Sequence, residues 1–224
     1  MQNFKKLLSF ILICAALFLG ACASENTAAP IFVGEPSSAR GENAFAAKAV
    51  FVAAMPDEAN RIIARYGLKK KSENFYISKD IACVVTGVGG ENVENALRQV
   101  RISPKIPIIN IGYCGSNSHK IGDFFEVSKV SKIEDPKKSL KLSKSGAPCY
   151  TADFFVENAK ISEPAVFDME LFYIRSAHGN TRSLKLVSDN LSKAEFKESI
   201  KNASWDKVLN AADEILKECG ALQK

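Results

Sequence analysis

The chain has 224 residues, of which 46% are hydrophobic and 25% charged, and its formal net charge is +5. That length is ample for one hydrophobic core, and so small a basic excess gives no case for nucleic-acid binding. With two histidines and no CxxC or HExxH pattern, a metal site is not expected, nor is a cofactor.

At the N-terminus, Lys5 and Lys6 precede an almost wholly apolar run from Leu7 to Gly20. The run is short for a membrane-spanning helix and has the layout of a secretory signal. Leu19-Gly20-Ala21-Cys22 matches a bacterial lipobox, which predicts cleavage before Cys22 and a lipid on its thiol. Residues 1–21 are then a leader and residues 22–44 a tether, rich in Ala, Ser, Pro and Gly, ahead of a domain over 45–224. The expected location is the bacterial cell envelope, lipid-anchored to a membrane on its non-cytoplasmic side. Loss of Lys5 and Lys6 with the leader leaves a charge of +3. Cys83, Cys114, Cys149 and Cys219 remain in the domain, and their spacing selects none of the possible disulfide pairings.

In the domain, Lys48 to Ala54 is a short apolar run that predicts a buried strand, and Asp57 to Tyr66 follows with helical spacing. Asn74 to Ile77 and Ile81 to Thr86 predict two strands joined by a turn at Ser78-Lys79-Asp80. Gly87-Val88-Gly89-Gly90 breaks the chain before a helix over Glu91 to Val100, whose Arg98 and Arg101 read as an exposed face. Ile106 to Ile111 is expected as a buried strand ending at Gly112-Tyr113-Cys114-Gly115, and Gly122 to Lys132 as another. The basic segment Lys137 to Lys144 reads as a solvated loop. Pro164 to Ala177 is expected as a helix stopped by Gly179-Asn180, Leu184 to Val187 as a strand, and Ser204 to Cys219 as a terminal amphipathic helix. Alternating strands and helices with hairpin-like pairs predict an α/β fold: a three-layer sandwich with a central mixed, twisted sheet flanked by helices.

The late strand ends abruptly in Ser188-Asp189-Asn190, and in open α/β sheets chemistry gathers where strands end. Two further acidic segments, Met55-Pro56-Asp57-Glu58 and Asp168-Met169-Glu170, supply carboxylates that could converge on the same cleft. Such a set suits acid-assisted cleavage of a polar bond.

Seven short segments, in order, resemble the methylthioadenosine/S-adenosylhomocysteine nucleosidases of the nucleoside phosphorylase superfamily. Ala53-Ala54-Met55-Pro56-Asp57-Glu58 resembles Gly-Ala-Met-x-x-Glu, and Thr86-Gly87-Val88-Gly89 resembles Ser-Gly-Ile-Gly. Asn110 to Gly115 is similar to Asn-Thr-Gly-Ser-Ala-Gly, Ile121-Gly122-Asp123 to Val-Gly-Asp, and Thr151 to Phe155 to Ser-Gly-Asp-x-Phe. Asp168-Met169-Glu170 resembles Glu-Met-Glu, and Ser188-Asp189 the Ser-Asp of a late strand.

The resemblance implies hydrolysis of the N-glycosidic bond of adenine nucleosides such as 5'-methylthioadenosine or S-adenosylhomocysteine. It makes Asp189 the acid that protonates purine N7, steadied by Ser188, and Glu58 the base that activates water. Glu170 would take the ribose hydroxyls with Met169 packing on the sugar; Phe155 would stack on the base and Val156 read its edge through the backbone. Ala54, Thr86 and Gly87 would complete the substrate site, and a homodimer is implied. Trp205 has two readings, an aromatic lid over the sugar or a core anchor. Tyr113 and Cys114 depart from the family pattern, where two small residues stand, and Leu191 to Ala203 reads as a long loop. A phosphate-dependent phosphorylase and a non-catalytic nucleoside receptor are the alternatives. A phosphorylase has to hold a phosphate dianion, and no Gly-Asp-Pro-x-Arg loop is present.

Overall fold

Strand β3 (Ala49–Ala53) is buried at every residue, and its alternation divides the core. Ala49, Phe51 and Ala53 face one side and Val50 and Val52 the other, as the period of two requires. A strand apolar on both faces needs cover on both. Helices α1 (Pro56–Tyr66) and α5 (Asp206–Glu218) cover the first face with Ala59, Ile62, Val208, Ala212, Ile215 and Leu216. Helices α2 (Gly90–Gln99) and α3 (Leu171–Ala177) cover the second through Val93 and Ile174. The computed structural model describes residues 30–35 and 43–223. The expected leader, Cys22 and most of the expected tether lie outside the described residues.

The other strands are β1 (Ile31–Gly34), β2 (Ala44–Ala46), β4 (Lys69–Ser72), β5 (Phe75–Ile77), β6 (Ile81–Val85), β7 (Val100–Ile102), β8 (Ile108–Ser116), β9 (Phe124–Lys132), β10 (Asp135–Lys141), β11 (Ala147–Thr151), β12 (Val166–Asp168) and β13 (Thr181–Asp189). They form a ten-stranded mixed sheet and a small parallel sheet ordered β2-β1-β7. The expected three-layer α/β sandwich is therefore the fold. On one flank β3, β6, β5 and β4 run as an open sheet, with β5 and β6 paired antiparallel across the expected turn. On the other flank the sheet closes. Strand β8 pairs with β13, β13 with β9, β9 with β11, β11 with β12, and β12 returns to β8. Strand β8 can serve both flanks because it is long: near Ile108–Asn110 it pairs with β3, and at Gly115 and Ser116 with β12.

Several expectations change. Residues Pro164 to Ala177 are not one helix: Val166–Asp168 is strand β12, and helix α3 starts only at Leu171. A short apolar run has no decisive period, and pairing to β8 and β11 decides it. Strand β8 does not stop at Gly112 but runs through both glycines to Ser116. Leu191 to Ala203 is not simply a loop, since it holds helix α4 (Lys193–Ser199), capped by Ser192. The basic segment expected as a loop from Lys137 is, through Lys141, the mostly exposed edge strand β10. Within the expected tether, β1 is folded and its Val33 is fully buried in the core, so the folded part begins before residue 45. Helix α5 takes Trp205, not Ser204, as its N-cap. The four domain cysteines are free thiols.

Candidate active site

The expected carboxylates meet in one cavity of about 170 Å3, between the open flank and the strand ring. Its walls carry Glu58, Glu170, Ser188 and Asp189, together with Ala54, Met169 and Phe155. Asp168, Tyr113, Phe196 and Val88 also line it.

Glu58 comes from the first turn of α1, where Pro56 starts the helix with its preset φ. One carboxylate oxygen accepts from the amides of Ala54 (3.0 Å) and Met55 (2.9 Å), and the other from the amide of Tyr113 on β8 (2.9 Å). This is the reach-back of an N-terminal helix acid, joined by one long-range donor. Burial raises the Glu58 pKa above the ordinary carboxylate value, while the three amides and the charge of Lys185 pull the other way. Gly112 makes the approach possible, because a Cβ there would lie 3.0 Å from the Glu58 oxygen.

Asp189 closes β13 at a bulge: Val187 stands opposite Cys114 and Asp189 opposite Gly115, so Ser188 is the extra residue. The bulge breaks the alternation and lets two successive side chains, Ser188 and Asp189, line the same cavity. Their oxygens are 2.8 Å apart, and the Ser188 hydroxyl also lies 3.1 Å from the Cys114 carbonyl. Leu191 then adopts φ 63°, a left-handed turn unusual for a bulky residue, beside which the Ser192 amide donates to Asp189 at 3.2 Å. Burial raises the Asp189 pKa, opposed by the Ser188 hydroxyl and by the amides of Ser192 and Leu191. Gly115 is required here as well, since its Cβ would come within 2.9 Å of Asp189.

Glu170 is the N-cap of α3, and its carboxylate accepts from the Gly89 amide at 2.8 Å. Burial, followed by the nearby charge of Asp168, pushes its pKa up to about 7. Asp168 pairs with Lys185 at 2.7 Å, with both side chains 1% exposed. It also accepts from the Thr151 hydroxyl and the Leu171 amide. Burial alone would lower the Lys185 pKa, but the charges of Asp168 and Glu170 outweigh that and keep it an ammonium. The site thus holds four carboxyl groups, one buried cation, and no arginine among its lining residues.

Other expected residues stand behind or beside the cavity. Thr86 and Gly87 bond through their amides to the carbonyls of Ala53 and Ala54 and so brace the turn that carries Ala54 and Met55. Neither is among the lining residues; Val88 is. Val156 and Phe155 line a smaller side recess with Leu191 and Asp189. Trp205, 3% exposed, sits in the core and donates its indole N–H to the Tyr113 hydroxyl at 3.0 Å. Phe196 of α4 lines the cavity instead, edge-on to Phe155 and Tyr113. Sequence reasoning missed Lys185 and Phe196. The lysine looks like an outward-facing residue between Leu184 and Leu186, and Phe196 lay in a stretch read as a loop.

No family model matches the chain, and no curated protein matches it significantly. Solved structures do. The chain is similar to the MTAN of Chlamydia trachomatis bound to adenine, with TM-score 0.65 and 18% identity over 77% of this chain and 98% of that one. A Helicobacter pylori MTAN variant with 5'-methylthioadenosine in its active site gives TM-score 0.61 and 13% identity, over 76% and 100% of the two chains. The futalosine hydrolase of Helicobacter pylori gives TM-score 0.62 and 14% identity, over 75% and 98%. At these identities the likeness concerns the fold alone, a mixed α/β architecture that this chain shares with those three structures.

Proposed function

We propose that the protein is an N-ribosyl hydrolase that cleaves purine nucleosides, with adenine as base, and that 5'-methylthioadenosine and S-adenosylhomocysteine are the compounds to try first. The observation that carries this reading is the meeting of three buried acids, Glu58, Glu170 and Asp189, on one cavity whose lining contains no arginine.

Adenine leaves poorly as an anion, so the bond from ribose C1' to N9 breaks readily only if the base gains a proton as it departs. Asp189, its pKa raised by burial, can retain a proton and give it to N7 while the bonding electrons move into the base. Positive charge then builds on the sugar beside Glu170, which accepts the ribose hydroxyls, and the surplus of carboxylates favours that cation. Glu58 takes a proton from water as its oxygen bonds to C1'; the three backbone N–H groups pointing at it favour the charged form a base requires. The products are free base and free sugar. A phosphate dianion would enter a cavity lined by carboxylates and no arginine, which disfavours phosphorolysis. The solved nucleosidases of this fold, one bound to adenine and another to 5'-methylthioadenosine, lend support. A lipid on Cys22 would put the reaction at the cell envelope, serving nucleoside salvage.

The test is incubation with adenosine, inosine, 5'-methylthioadenosine and S-adenosylhomocysteine, with and without phosphate, followed by chromatography. Phosphate-independent release of adenine and free sugar is expected. Ribose 1-phosphate as main product would make the protein a phosphorylase, and tight binding without base release would make it a receptor.

A further inference from the structure

Tyr113 is a bulky residue placed against the site and locked there. Its amide holds Glu58 (2.9 Å), so its ring starts from the water-activating corner of the cavity, which it lines. The hydroxyl accepts from Trp205 Nε1 at 3.0 Å and donates to Asp57 at 3.1 Å. Burial pushes the phenol pKa up to about 12, so it keeps its proton at working pH. The ring stands edge-on to Trp205, 5.1 Å between centroids, and to Phe196, 6.1 Å away. Turning it aside would leave the buried indole N–H without its acceptor.

Resting on the nucleosidase reading, the assignment of the cavity walls proceeds by elimination. The base takes Asp189 and Phe155, the ribose hydroxyls take Glu170 and Met169, and water takes Glu58. Gly115, Phe167 and Asp168 are shared with the side recess beside Asp189 and fall to the base, and Ser188 is bonded to Asp189, which leaves Ala54, Met55, Val88, Tyr113, Cys114 and Phe196 for a group carried on the sugar's 5' carbon. These are apolar, and the one oxygen among their side chains is already engaged on both sides.

We propose that Tyr113, pinned by Asp57 and Trp205, is the specificity-determining residue that limits the size of the 5' substituent. Compact groups such as hydroxyl or methylthio fit against the ring. The long, doubly charged homocysteinyl chain collides with it and finds no free polar partner on those walls.

The experiment compares kcat/KM for 5'-methylthioadenosine and S-adenosylhomocysteine in the parent, Tyr113→Ser, Tyr113→Phe and Asp57→Ala. Calorimetric Kd values for both compounds are measured in parallel. The parent should favour 5'-methylthioadenosine by at least about tenfold, the scale at which pocket size discriminates. Tyr113→Ser should erase most of that ratio. Tyr113→Phe, which keeps the ring but frees its end, should retain more of it. Asp57→Ala alters a half-exposed side chain and should relax the ratio severalfold even if Tyr113→Ser fails to fold. Equal handling of the two compounds by the parent, or ratios unmoved in Tyr113→Phe and Asp57→Ala, would overturn the proposal. If the parent releases no base from any nucleoside, the hydrolase reading fails separately; the Kd ratios still decide whether Tyr113 limits size.

Discussion

Glu58, at the open flank of the sheet, is held by three backbone N–H groups, whereas Asp168, within the strand ring, is held by a buried ammonium. The two carboxylates line one cavity and are almost equally buried. Two of the three donors to Glu58 lie within four residues of it, and the start of a helix supplies such donors wherever one forms. Asp168 depends chiefly on Lys185, a residue from another strand of the ring. The difference shows that a buried acid can be stabilised by local backbone geometry or by a long-range charge, and that the two should fail differently when disturbed.

The largest effect is expected where the chemistry is removed. Glu58→Gln and Asp189→Asn should each lower turnover by about 10²- to 10⁴-fold. Asp189→Asn should still bind nucleoside, because an amide can bond to the base without delivering a proton. Near-normal kcat in Asp189→Asn would make Asp189 structural and leave the flanks unequal in chemistry as well as in support.

Next in size is Lys185→Met, which strands the Asp168 charge in the interior. Breaking a buried pair in this way costs roughly 3–5 kcal/mol, readable by chemical denaturation. Asp168→Asn in the same chain should restore part of the loss. If Lys185→Met costs no more stability than Glu58→Gln, the contrast between local and long-range support collapses.

The smallest effect concerns pH. The folded Glu170 carboxyl titrates at about 7 against an ordinary value of 4.5, so the folded state holds that proton the more tightly. Its contribution to stability is complete below about pH 4.5 and is lost as pH rises through 7. Glu170→Gln should flatten this slope, by something of order 2 kcal/mol between pH 5 and 8. Melting curves of parent and variant across that range provide the check, and parallel curves would show that Glu170 ionises normally in the fold.

The elements legible in the sequence were those with local causes. The apolar run from Lys48 to Ala54, the helical spacing through Ala59 and Ile62 and the turn at Ser78-Lys79-Asp80 each declare themselves within a few residues. Glu58 was visible as an acid following the first strand, and its role came through the resemblance to Gly-Ala-Met-x-x-Glu; its reach back to the amides of Ala54 and Met55 is what the structure adds. The ring of strands had no such sign. Whether Val166 to Asp168 joins a helix or a sheet depends on the free edges offered by β8 and β11, which lie far away in the chain. Lys185 follows the alternation of an exposed residue, and only closure of the sheet buries it beside Asp168.

By itself the sequence determined the α/β pattern, the order of the motifs and the presence of three acids suited to acid-assisted cleavage of a polar bond. The tertiary structure decided how they are aimed. A bulge at Ser188, a left-handed Leu191 and glycines at 112 and 115 bring Asp189 and Glu58 against strand β8. It also put Trp205 in the core behind Tyr113 and gave the cavity wall to Phe196. The physical reason is range: propensity and periodicity act over a few residues, while the bulge, the ring closure and the buried ion pair each need two distant segments to meet before either gains from the contact.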